Sequence, residues 1–153
     1  MKRRLIKIIA SALILVICLS LVSCTNKLKI DSEEMKWQLV VVTSDKTGEV
    51  VYCSAEHKIY YADAKVINLS CRASDGKIII TDKKTDIGYL GAYTVISEGK
   101  QSSYSIAMTS DGERIEGSAE ITKTKLHNDS FEYNLIIVID GYTLNFKSAD
   151  ADK

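Results

Sequence analysis

From residue 35 onward, apolar residues recur at every second position, or in short runs rich in Val, Ile and Tyr, with turn-forming residues between them. A period of two places side chains alternately on the two faces of an extended chain. The pattern predicts strands at 35–43, 49–54, 64–73, 76–82, 91–98, 103–110, 113–122, 131–139 and 142–148. The final pair is the clearest. Phe131, Tyr133, Leu135, Ile137 and Ile139 alternate before Asp140-Gly141, and Tyr142, Leu144 and Phe146 alternate after it. Three Asp-Gly pairs, at 75–76, 111–112 and 140–141, each fall between two such runs. Asp-Gly supplies the positive φ angles of a tight type I′ turn, so each pair joins neighbouring antiparallel strands. Residues 55–63 are the only stretch expected to form a short helix.

A chain of hairpins is a meander, and the fold class is all-β. The sequence holds no proline, one of the devices that keep exposed sheet edges from pairing with other chains. Eight or nine antiparallel strands without it are expected to hide their edges by closing into a small barrel. Trp37, Leu39, Val41, Ile67, Leu69, Ile78, Ile80, Tyr104, Ile106, Met108, Phe131, Leu135, Ile137, Leu144 and Phe146 are expected to face its interior. A barrel of that size is either filled by side chains or holds one small ligand, and the sequence leaves both open.

The first residues follow a different pattern. Lys2, Arg3, Arg4 and Lys7 precede an apolar stretch over 8–22, interrupted only by Ser11 and Ser20 and closed by Leu21-Val22-Ser23-Cys24. The order is that of an export signal, and the stretch is short beside the roughly 20 residues that a membrane-spanning helix uses. The tetrapeptide resembles the lipobox of bacterial lipoproteins, whose cysteine receives a diacylglyceryl group after the chain is cut just before it. The resemblance implies a signal helix at 1–23 and a lipidated Cys24; the polar residues after it read as a flexible tether, giving 24–34 for cysteine and tether, the alternating region 35–148 reads as the barrel domain, and 149–153 is a tail. The resemblance also implies residence on the outer face of a cell membrane, with the bilayer as partner through Cys24 and its palmitate-type acyl chains.

Charge refines this picture. The chain carries 20 basic and 20 acidic residues, but four of the basic ones lie before residue 24, so the remainder is mildly acidic. That balance excludes a strongly basic nucleic-acid binder and does not favour adsorption to anionic headgroups. Trp37 in Lys36-Trp37-Gln38-Leu39, near the start of the first strand, and Gly91-Ala92-Tyr93 are similar to motifs of lipocalin-like (calycin) barrels. In that family the tryptophan packs across the closed end, the role the resemblance implies for Trp37.

Catalytic chemistry is not indicated. His57 and His127 both fall in connections, and no nucleophile elbow, His-Glu-x-x-His, phosphate-binding loop or Cys-x-x-Cys is present. Asp82, Asp86, Glu98, Glu113, Glu116 and Glu120 have no calcium-loop spacing. No metal and no cofactor are expected. With Cys18 in the signal and Cys24 acylated, Cys53 and Cys71 remain; they either pair in an oxidising compartment or serve as two small core residues. Tyr52, Tyr60, Tyr61, Tyr89 and Tyr93 form either a recognition face or ordinary strand surface. The expected function is a non-catalytic module binding a small apolar or peptide ligand or a protein partner. The alternatives are an accessory to an envelope enzyme and a structural envelope component.

Overall fold

The structure is a computed structural model that describes residues 28–31, 36–54, 63–83, 87–110, 112–127 and 130–148. The signal segment, Cys24, residues 55–62 with His57, Tyr60 and Tyr61, and the tail lie outside the described residues. The described residues form ten strands: β1 Trp37–Ser44, β2 Val50–Cys53, β3 Lys65–Val66, β4 Leu69–Ser74, β5 Lys77–Asp82, β6 Ile87–Ser97, β7 Ser102–Ser110, β8 Glu113–Lys125, β9 Phe131–Ile139 and β10 Tyr142–Ser148.

Eight of them form the barrel expected from the alternation. Strands β4 to β10 follow one another as an antiparallel meander, and β1 closes the ring by pairing with both β4 and β10. Closure leaves no free edge along β10, because β1 pairs with it from Trp37↔Ser148 to Ser44↔Tyr142. The turns are those the Asp-Gly pairs demand: Asp75 and Gly76 have φ of 50° and 75°, and Asp140 and Gly141 have 52° and 73°.

Four expectations change. The strand read as 64–73 is two strands, broken at Ile67 and Asn68, and the first of them pairs with β2 in parallel (Tyr52↔Lys65, Cys53↔Val66). The sixth strand begins at Ile87, so Gly91-Ala92-Tyr93 lies in its middle rather than at its start. Val41 does not share the interior with Leu39, because a bulge at Val40 shifts the register on β1 and brings Val42 inward instead, 3% exposed. Phe131 is on the interior-facing register but 39% exposed. The β8–β9 hairpin overhangs the barrel there, and Lys123 Nζ stands 3.7 Å from the Phe131 ring centroid.

The core runs through Trp37, Leu39, Ile78, Ile106, Ile121, Leu135, Ile137 and Phe146, each 1% exposed or less. Two glycines face inward within it. A Cβ on Gly117 would lie 2.3 Å from the Val138 carbonyl oxygen, and one on Gly91 would lie 2.8 Å from that of Ala107. Only glycine lets neighbouring strands approach this closely at the bends of a small barrel.

Candidate functional site

The two ends of the barrel are built differently. One end carries the β4–β5, β6–β7 and β8–β9 turns and is corked from within by residues 28–31. Leu28 and Ile30, expected to belong to a flexible tether, are 6% and 1% exposed and join the core. Their spacing is itself an alternation, Leu28-Lys29-Ile30, too short to stand out within a polar decapeptide. The backbone polar groups of this strap find partners in the barrel end. Leu28 N–H donates to the Gly99 carbonyl at 3.1 Å, and Ile30 N–H donates to the Tyr104 hydroxyl at 3.0 Å. The Leu28 carbonyl accepts from the Ser102 and Tyr104 hydroxyls.

Tyr104 is fully buried and meets Tyr93 edge to face, with centroids 5.7 Å apart. Burial raises the pKa of Tyr104, partly offset by the Ile30 N–H. Burial raises that of Tyr93 as well, followed by its hydrogen bond to the Asp31 carboxylate. Both hydroxyls are therefore kept neutral and available to hold the strap. Trp37 is buried in the same cluster.

At the other end the wall is opened. β1 pairs with β4 only at Trp37 and Gln38, and further along the same edge it pairs with β2 at Val41 to Thr43. Where β4 parts from β1, the β2–β3 pair lies between them, and Tyr52 and Lys65 from that pair line the mouth. Gln38 pins the fork. Its Nε2 donates to Asn68 Oδ1 at 2.8 Å and to the Leu69 carbonyl at 2.9 Å, while its Oε1 accepts from Lys83 Nζ at 2.7 Å.

Behind the fork lies a cavity of about 370 Å³ that opens at the mouth. Val42, Ile80 and Met108 form its buried floor, and Ile67, Leu69, Ile115, Ile139 and Leu144 its walls. Tyr52, Tyr89, Tyr142, Lys65, Asp82 and Asp140 stand at its rim. The volume is at the lower end of the range for small-molecule pockets, about 300–1,000 Å³. An apolar interior ringed by a few hydroxyls and charges gains free energy from apolar surface and orients it by a polar end.

The candidate tyrosines thus divide. Tyr52 and Tyr89 reach the mouth, Tyr93 belongs to the corked end, and Tyr142, in no sequence cluster, joins the rim. His127 is exposed in the β8–β9 connection. Among the described residues no group of three His, Cys, Asp or Glu side chains converges as metal ligands would.

The pairing of Cys53 with Cys71 that the sequence left open does not occur, since both are free and buried. Cys71 lies opposite Trp37 and Cys53 opposite Val41. Four positions on β1 separate the partners by about 10–13 Å, beyond the roughly 7 Å that a disulfide spans between Cα atoms. The bulge also turns the two thiols to opposite faces of the sheet. Burial pushes the Cys71 thiol up to about 12, which leaves it without nucleophilic thiolate near neutral pH. Cys53 and Cys71 should therefore resist alkylation in the native protein, and each should take up a label in the unfolded protein without any reductant. Labelling that requires reductant would mean a bond joins them.

Compared with protein-family models, with curated proteins and with solved structures, the chain matches none.

Proposed function

We propose that the protein is a non-catalytic binding module that takes a small, largely apolar ligand into the mouth of its barrel. It works from the outer face of a cell membrane to which Cys24 is anchored by acyl chains. The cavity at the mouth carries this reading. A filled interior with a broad apolar outer surface would have favoured a protein partner instead. The barrel architecture agrees with the lipocalin-like resemblance, in which a closed eight-stranded barrel serves as a container. The anchor half of the reading rests on the charged, apolar and Leu-Val-Ser-Cys order of residues 2–24. Two or more acyl chains hold a protein stably where one does so only marginally.

The test uses N-phenyl-1-naphthylamine, a neutral apolar fluorophore. Saturable binding to the full chain is expected, and Ile139→Trp, which fills the cavity from its wall, should weaken it at least tenfold. Leu90→Ser, on the outer face of β6 where Leu90 is 58% exposed, should leave it unchanged. Equal binding by wild type and Ile139→Trp, or loss with Leu90→Ser, would contradict the assignment.

A further inference from the structure

We infer that the barrel stands on the membrane by its corked end, with its mouth directed away from the bilayer, so that its ligand arrives from the aqueous side. The inference rests on the reading of Cys24 as the acylated residue and adds the orientation of the binding site. Its basis is the seat of Leu28. Leu28 is 6% exposed and hydrogen-bonded to Gly99 and Ser102 at the corked end. Only four peptide steps separate it from Cys24, and fully extended they cover at most about 14 Å.

The mouth lies further off than that. β1 rises from Trp37 beside the cork to Ser44 at the rim over eight residues, seven steps that cover about 23 Å along the strand. At the usual tilt of about 40° this is roughly 18 Å along the barrel axis. A tether of about 14 Å cannot run back past the barrel to set the mouth on the leaflet that holds the acyl chains. Lipids of that leaflet therefore have no direct path into the cavity, and the ligand class is a water-borne or protein-presented apolar molecule. Because the restraint is covalent, the orientation persists in neutral lipid and in high salt, unlike an electrostatic one.

The experiment uses the processed protein, acylated at Cys24, in phosphatidylcholine vesicles that contain a headgroup nitroxide lipid, in 1 M salt. A fluorophore is placed through Lys100→Cys, in the exposed β6–β7 turn at the corked end, or through Lys46→Cys, in the exposed β1–β2 turn at the mouth; Cys53 and Cys71 are buried. The Lys100 label should be quenched several-fold more than the Lys46 label. Equal quenching, or stronger quenching at Lys46, overturns the orientation. Flotation of the chain with the same vesicles and its loss in Cys24→Ser check the anchor separately. A chain that floats with equal quenching loses only the orientation, whereas a chain that does not float loses both readings.

Discussion

Gly117→Val is expected to abolish folding, or to destabilise the barrel by about 3 kcal/mol or more. Gly117 sits mid-strand on the inward face of β8, opposite Ile106 on β7 and Ile139 on β9. A Cβ there would be 2.3 Å from the Val138 carbonyl oxygen and 2.9 Å from the Ile139 Cβ. Neither is the far end of a flexible side chain, so relief requires β8 and β9 to separate, with loss of their ladder. Thermal denaturation followed by circular dichroism should show the melting temperature falling by more than about 10 °C. Ser118→Val, one residue away on the exposed face, should change it little. If Gly117→Val melts like wild type, the strands do not approach as described.

Trp37→Ala is expected to cost about 3–5 kcal/mol, the range for removing a large buried aromatic. The residue is 1% exposed and packs in the same cluster as Leu28, Ile30 and Tyr104. Its loss leaves a void beneath the strap, so residues 28–31 should become susceptible to proteolysis before the strands do. Trp37→Phe retains most of the ring and should cost clearly less. Chemical denaturation of the three proteins gives the comparison, and a Trp37→Ala protein as stable as wild type would remove the cork from the account.

The barrel was legible in the sequence because period-two alternation and Asp-Gly turns are local signals. Strands β5, β7, β9 and β10 declare their inward faces within their own few residues, whereas β6 turns Leu90 and Ile96 outward; closure followed from the number of strands and the missing proline. The mouth was not legible, because it depends on two departures from regular pairing. Leu39-Val40-Val41-Val42 is a continuous apolar run in which either parity reads equally well, so the bulge at Val40 leaves no trace. The fork between β1 and β4 is set by long-range bonds of Gln38 to Asn68 and Lys83. Nothing in the local composition around any of the three residues announces them.

The cork illustrates a different limit. Leu28 and Ile30 supply only two apolar positions, in a segment whose polarity reads as a linker. Their burial is decided by an end of the barrel that needs covering and by Tyr104 and Ser102, more than 70 residues away, which satisfy the strap's backbone groups. The tyrosines at the mouth come from β2, β6 and β10, and only closure of the ring assembles them.

The most direct test of a barrel sealed at one end and receptive at the other is methyl NMR of the folded protein titrated with N-phenyl-1-naphthylamine. Saturating shifts are predicted at Met108, Ile115, Ile139 and Leu144 around the cavity, with Leu28, Ile30 and Leu135 unmoved. Shifts confined to Ile79 and Leu90 on the outer face, or appearing first at the strap, would contradict it.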